Sequence, residues 1–238
     1  MATDLTIARR NAVLGGLADQ DLARLLPHLH ENPLPLGQVL HEPGVPVESV
    51  HFPLVGVVSV VGELDADQVV EVATIGREGM VGISTFLGGD SPTERSLVQV
   101  AGQALTMSTE DLRALTVDID GALTARLRRS AQAMFTQLAR NAACNRVHSV
   151  RQRAARWLLM TADRMDSPTF DLTQHFLAQM LAVRRSSVSE VAQALAEDGC
   201  ITYTRGAIAI TDRALLQSHA CSCYEAIRRS TDAALAVR

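Results

Sequence analysis

The 238-residue chain contains no lysine: all 22 of its basic residues are arginine. Arginine offers bidentate contacts to phosphate and guanine that lysine does not, but such a skew follows genomic composition as readily as function, and no function is assigned to it. Cysteine is sparse as well. Cys144, Cys200, Cys221 and Cys223 are the only ones, with none in the first 143 residues. That excludes a disulfide framework and gives no four-thiolate knuckle, so reduced structural thiols are expected. No run of about 18 apolar residues exists to span a membrane. At the start, MATDLTIARR places Asp4 and two arginines after only a few apolar residues, so no secretory signal is expected and a cytoplasmic location is. A P-loop, a dinucleotide fingerprint and a nucleophile motif are also missing, so no catalytic residue is assigned and no enzyme is expected.

What is present is enough for ordinary cores. Hydrophobic residues make up 47% and charged residues 20% of the chain, a balance that fits two medium domains of folded protein. The net charge of -4 hides an asymmetry. Residues 1 to 120 hold 6 arginines against 17 acids, whereas residues 121 to 238 hold 16 arginines against 9 acids. A basic second half suggests a polyanionic partner for that half alone.

Three textures follow one another. Around Asp19 to His30 the pattern DLARLLPHLH predicts a short amphipathic helix with Leu22, Leu25 and Leu26 on one side and Pro27 at its end. Residues 33 to 107 then carry most of the glycines and prolines, and β-branched runs alternate with turn chemistry at Glu42-Pro43-Gly44, Val55-Gly56 and Gly88-Gly89-Asp90. With no helix-length segment between the runs, this is an all-β sandwich, roll or barrel. From Thr109, which is placed to cap a helix through Leu115, the sequence turns helical. Between Gly121 and Ser149 no proline or internal glycine interrupts it, and Leu123, Leu127, Ala131, Met134 and Leu138 recur at spacings of four, four, three and four. This is the rhythm of a coiled-coil seam, over roughly 40 Å of helix. With Arg126, Arg128, Arg129, Arg140 and Arg146 at exposed positions, a helix that pairs with a copy of itself is favoured over a buried core helix.

After residue 150 the helix RQRAARWLLMTADRM buries Ala155, Trp157, Leu158 and Leu159. Thr173 then caps a helix carrying Phe176, Leu177, Met180 and Leu181; a break follows at 182 to 184, and a second helix carries Val188, Val191, Ala192 and Leu195. Gly199 stops it, and residues 201 to 204 and 207 to 210 read as a hairpin. Two short helices across a tight turn, with a wing beside them, make a helix-turn-helix whose second helix can enter the major groove.

The stretch LTQHFLAQMLAVRRSSVSEVAQALAEDGCITYTRGAIAI resembles the winged helix-turn-helix of the Crp/Fnr family of bacterial transcription regulators. VHFPLVGVVSVV is similar to the family's first hairpin region and TIGREGMVGISTFLGG to its glycine-rich loop. The resemblance implies an α+β chain: a jelly-roll-like β-roll of the cyclic-nucleotide-binding kind over residues 1–120, a dimerisation helix over 121–149 and a winged helix-turn-helix over 150–238. The implied partners are double-stranded DNA carrying an inverted repeat, a second copy of the chain and RNA polymerase, with no membrane. Arg185 matches the family's guanine-reading arginine, and an arginine fork on guanine is the commonest specific base contact. Where the family often has Glu and a further Arg, this chain has Ser186 and Glu190, so the best-known operator does not carry over. Arg184, Thr173, Gln174, Ser187, Ser189 and Arg205 complete the expected DNA surface, mostly through phosphate contacts that fix register. The expected dimer seam is Leu123, Leu127, Ala131, Met134, Leu138, Asn141 and Asn145.

For the effector, the resemblance places a Gly-Glu pair on the ribose and an Arg-Ser pair on the cyclic phosphate. Here these are Gly82 with Ile83, and Arg95 with Ser96, while the adenine-contacting hydroxyl positions fall on Asn141 and Ala142. The lost carboxylate leaves a buried hydroxyl unpaired at a cost of about 1–3 kcal/mol. No cofactor is therefore assigned and a cyclic nucleotide is not expected; an unidentified small-molecule effector and an unliganded, constitutively competent dimer are the two readings, with Arg95 binding another anion or pairing with Glu94 or Asp90. A true cyclic-AMP-dependent regulator, a cupin-like metal-binding enzyme using His41 and His51, and an interaction protein without DNA binding are the competing readings. No metal site is assigned: His41 and His51 lack a completing ligand, Cys221-Ser222-Cys223 is a weak redox candidate, and Cys144, Asn145 and His148 lie along the expected seam.

Overall fold

The computed structural model describes residues 4–65, 68–204 and 206–236. Three short helices lead: α1 (Leu5–Ala8), α2 (Ala12–Gly15) and α3 (Asp19–Leu25). Asp4 and Asn11 cap the first two by accepting main-chain N–H groups, and a 3-10 turn through Pro27 ends the third. An antiparallel sheet follows, made of β1 (His30–Leu34), β2 (Val39–His41), β3 (Ser49–Asp65), β4 (Gln68–Ile75) and β5 (Arg95–Ser108), in the order β1-β5-β3-β4 with β2 also on β5. The short helix α4 (Ile83–Phe86) lies in the β4–β5 connection.

Val55-Gly56 is not a turn. β3 runs through it as one strand of 17 residues, and the register against β5 slips at Pro53/Val55, Val55/Val57 and Val57/Val58. Bulges of this kind bend a strand and raise its twist, which lets a long strand serve where a hairpin was expected. Gly56 supplies the bend with φ of +102°. Opposite it, a Cβ on Gly102 would stand 2.0 Å from the Val55 carbonyl oxygen and 2.8 Å from the Gly56 Cα, main-chain atoms that cannot rotate away. Gly102→Ala is expected to cost about 3 kcal/mol or more, beyond ordinary overpacking. Chemical denaturation measures this; a loss below about 1 kcal/mol, within the range of a typical substitution, would show that the strands do not meet so closely.

Helix α5 (Thr109–Leu115) is capped by Ser108 rather than Thr109: the Ser108 side chain accepts the Asp111 N–H, and Thr109 instead donates to the Val47 carbonyl. The long helix α6 (Ala122–Val147) follows, and Ser149 with Gln152 forms a capping box on α7 (Val150–Ala162). Then come β6 (Thr169–Asp171), α8 (Gln174–Met180), α9 (Arg185–Glu197), β7 (Ile201–Thr204), β8 (Ala207–Ile210), α10 (Arg213–His219) and α11 (Cys223–Ala236), with β6-β8-β7 as a second small sheet. The last helix turns back along α6. No helix among the described residues is long and apolar enough to cross a membrane.

The apolar rhythm of α6 has a different destination from the one expected. Leu123 and Leu127 are buried in a core formed with Leu14, Phe52 and Leu105, while Ala131, Met134 and Leu138 lie half-buried against the sheet's cores. Asn141 is buried too, donating to the Val72 carbonyl at 2.9 Å. Of the expected seam, Asn145 alone is exposed. A four-three rhythm reports a helix that buries one stripe, and in this chain the stripe faces the chain's own sheet. Arg126, expected outside, is buried as well and donates to the carbonyls of Val13 and Leu235 at 3.2 and 3.0 Å. The outward face instead carries Arg128, Gln132, Phe135, Ala139, Ala142 and Arg146, at spacings that alternate four and three.

Core residues run without a break from the sheet into the C-terminal part. Val57, Val61 and Val100 share one cluster with Trp157, Leu158, Leu159, Leu177 and Leu195. Just past α7, Arg164 clamps this junction: it lies 2.6 Å from Glu78 and donates to the Thr74 carbonyl at 3.1 Å. Against the upward push of burial, the Arg164 charge holds the Glu78 carboxyl below its ordinary range.

Candidate nucleic-acid interface

Thr173 caps α8 by accepting the Phe176 N–H at 3.2 Å, and Leu177, Ala178 and Met180 bury that helix. The chain then turns at Ala182, whose φ of +50° makes it the one non-glycine in the left-handed region among the described residues. Arg184 occupies the cap position of α9 without a side-chain cap bond. Val188, Ala192 and Leu195 pin α9 to the core, which leaves the opposite face outward. Gly199, at φ +81°, ends the helix, and the β7–β8 wing pairs Ile201 with Ile210 through Thr204 with Ala207.

This frame sorts the expected DNA-contacting residues. Arg184, Arg185, Ser186, Glu190 and Thr173 are exposed, and Gln174, Ser187 and Ser189 half-buried. Ser189 Oγ donates within 2.7 Å of Gln174 Oε1 and lies 3.1 Å from the Arg185 carbonyl, which ties the two helices together. Among the described residues no side-chain partner holds Arg184, Arg185 or Glu190. Elsewhere the guanidinium groups of Arg95, Arg113, Arg151 and Arg213 are engaged by acids. Two uncommitted guanidinium groups thus stand at the positive end of a helix dipole, an arrangement suited to a polyanion. Arg205, between β7 and β8 in the sequence, lies outside the described residues.

The expected effector residues fall in the β4–β5 connection, on β5 and on α6. Gly82 has φ of +92° and precedes α4, and a Cβ on it would meet His41 and Val50 at 3.0 Å. Ile83 is packed into the core with Val50 and Met80. Arg95 donates to Glu42 at 2.8 Å and lies 2.7 Å from Glu63, so its partners are neither Glu94 nor Asp90. Ser96 is buried between β2 and β3. Asn141 sits on α6 between the Val72 carbonyl and Arg156, whose Nη1 donates to it at 2.8 Å.

His41 and His51 do approach, with ring centroids 5.6 Å apart. Each already has a protein partner, Ser49 O at 2.8 Å and Thr106 Oγ1 at 3.2 Å. Burial lowers the pKa of both, with the His41 charge adding to the effect on His51, whose pKa falls to about 4. Among the described residues no carboxylate groups with the pair within reach of one metal ion, and the donor grouping lies elsewhere.

The residues that sequence reasoning passed over are the buried charges between the two parts. Glu71 on β4 accepts the Trp157 indole N–H at 3.1 Å and the Ser59 hydroxyl at 2.7 Å, and Gln99 contacts the same hydroxyl. Arg153 and Arg156 are buried on α7. An alternating strand with a glutamate in place of a valine was a visible signal for the first; nothing local marks the arginines.

An antiparallel β-roll, a long helix and a winged helix-turn-helix define the fold of the Crp/Fnr regulators. Residues 152–219 match the family of Crp-like helix-turn-helix domains, a DNA-binding module. Among solved structures, the chain is similar to FixK2 from Bradyrhizobium japonicum at 14% identity, over 82% of this chain and 98% of that one, with a TM-score of 0.68. The c-di-GMP-responsive global regulator CLP of Xanthomonas campestris is similar at 19% identity, over 82% and 100%, with a TM-score of 0.62. A CRP-family transcriptional regulator from Thermus thermophilus is similar at 18% identity, over 79% and 96%, with a TM-score of 0.65. At these identities the likeness carries the fold. No curated protein matches the chain by sequence.

Proposed function

We propose that the chain is a cytoplasmic, homodimeric, sequence-specific transcriptional regulator that binds an inverted repeat in double-stranded DNA and acts on RNA polymerase through it. It divides into a β-roll over residues 1–120, a pairing helix over 121–149 and a DNA-reading part over 150–238. The observation that carries this reading is the exposed, acid-free Arg184–Arg185 pair at the start of α9, in a Crp-like helix-turn-helix. Arg185 reads guanine from the major groove, Ser186 and Glu190 face neighbouring bases, and Thr173, Gln174, Ser187, Ser189 and Arg205 fix the register on phosphates. Fragments selected from genomic DNA by the purified protein test it. Enrichment of an inverted repeat with half-sites about one duplex turn, roughly 34 Å, apart supports the reading; no enrichment over random sequence rejects it.

The outward face of α6 supports pairing of two subunits. Phe135 is 66% exposed and lies between Gln132 and Ala139 in an alternating four-three row. Phe135→Asp puts a charge at the centre of that row and is expected to weaken the dimer at least about 100-fold, the size of a central hot spot. Sedimentation velocity measures this, and an unchanged dimer would move the interface to another surface.

The effector in this reading is a small molecule other than a cyclic nucleotide. Glu42 and Glu63 already satisfy Arg95, the residue that a cyclic phosphate would need, and Ile83 offers no acceptor to a ribose. Calorimetry with cyclic AMP is expected to show no micromolar binding. A cupin-like enzyme is disfavoured because His41 and His51 are held by Ser49 and Thr106.

A further inference from the structure

Where α6 ends, three thiols and an imidazole converge from two distant stretches of chain. Cys144 lies in the last turn of α6, His148 follows that helix, and Cys221 and Cys223 flank the turn that opens α11. The three cysteines are buried and form a small cluster of their own. Their sulfurs and a ring nitrogen of His148 all lie within 4.8 Å of one another. Cys144 Sγ is 3.5 Å from Cys221 Sγ, and Cys223 Sγ is 3.8 Å from His148 Nδ1.

The 3.5 and 3.8 Å separations match the edges of a coordination tetrahedron. Zinc takes thiolate sulfur at about 2.3 Å and imidazole nitrogen at about 2.0–2.1 Å, which sets sulfur–sulfur edges near ~3.8 Å and sulfur–nitrogen edges near ~3.6 Å. We propose that Cys144, His148, Cys221 and Cys223 form a structural site for one tetrahedral zinc ion per chain, joining the end of α6 to the start of α11.

The surroundings fit the charge of such a site. Three thiolates and a neutral imidazole around a divalent ion leave one net negative charge. Arg153 and Arg156 of α7 are buried beside the cluster, close enough for their charges to act on Cys144 and Cys221. Among the described residues neither guanidinium hydrogen-bonds a carboxylate: Arg153 donates to the Leu181 carbonyl, and Arg156 to Asn141 and Met160. The Nε of each has no hydrogen-bond partner among the described residues. Buried cations are costly unless paired, and an anionic metal cluster supplies the counter-charge. The ligand set is closed, with all four positions from protein, as in zinc sites that hold a fold rather than catalyse. Its place matters: the ion would fasten the long helix to the last helix, on either side of the DNA-reading elements.

The test uses the full-length protein, purified without a metal-affinity tag from zinc-supplemented medium and measured by elemental analysis. About one zinc per chain is expected. Adding cobalt to chelator-stripped protein should give the intense visible bands of a tetrahedral thiolate site. Cys144→Ser and Cys223→Ser should each abolish stoichiometric zinc, whereas Cys200→Ser, at a buried thiol outside the cluster, should retain it. Should the cluster variants not fold, the wild-type chain still decides: added zinc must shield three of its four thiols from a thiol reagent. Less than a tenth of an equivalent of zinc with no shielding, or isolation of a Cys144–Cys221 disulfide in place of metal, would overturn the proposal. None of these readouts depends on DNA.

Discussion

Arg185→Ala is expected to remove sequence-selective DNA binding while leaving the fold and the dimer unchanged. The side chain is exposed and has no partner among the described residues, so its loss strips no contact from the core. A bidentate arginine–guanine contact contributes about 1–3 kcal/mol of discrimination. A dimer loses it twice, so selectivity between an inverted repeat and random DNA is expected to fall by about one to four decades. Ser187→Ala gives the contrast: in its proposed role as a phosphate contact, its removal is expected to weaken binding to all sequences alike. Competition titrations at fixed salt separate the two, because the sequence-independent part of the affinity varies steeply with ionic strength. An Arg185→Ala protein that keeps its preference would transfer base reading to another residue of α9.

The second large effect concerns pH. Burial pushes the Glu71 carboxyl up to about 7 from an ordinary 4.5, against the opposing pull of Ser59, Arg156, Arg164 and Trp157. The folded chain therefore retains a proton that the unfolded chain has released. Stability from this group is full below the unfolded value of 4.5 and declines as pH rises to about 7, where the folded carboxyl also ionises. The decline amounts to roughly 3 kcal/mol across that window. Glu71→Gln keeps the shape without the charge, so its stability should be flat over the same range and exceed that of the parent at about pH 8. Trp157 supplies an independent reading, because it is the single tryptophan and its indole N–H is bonded to Glu71. Its emission is expected to titrate with a midpoint near about 7 in the parent and not in the variant. Identical flat profiles in both proteins would remove Glu71 from this role.

The helix-turn-helix was legible because its signals are local. Thr173, the apolar positions of α8 and α9, and Gly199 each act within a few residues, and each lies where its chemistry placed it. Two adjacent hydroxyls of equal competence, Ser108 and Thr109, were not separable by composition. Long-range partners were illegible in principle. Arg95 reaches an acid 53 residues away rather than its neighbour, and the stripe of α6 has the same rhythm whether it meets a sheet or a second helix. The thiol cluster illustrates the same limit: Cys144 and Cys221 are 77 positions apart, and only folding α11 back along α6 unites them.

Because Leu123 and Leu127 are used up inside their own subunit, assembly need not wait on a shared interior. A single copy already buries the apolar stripe of its long helix and leaves Phe135 on the outward face, so association is a separate, mass-action event. Under the proposed pairing, protein abundance becomes an input in its own right: at low copy number most molecules would be single, and occupancy of the proposed operator would climb with roughly the square of protein level.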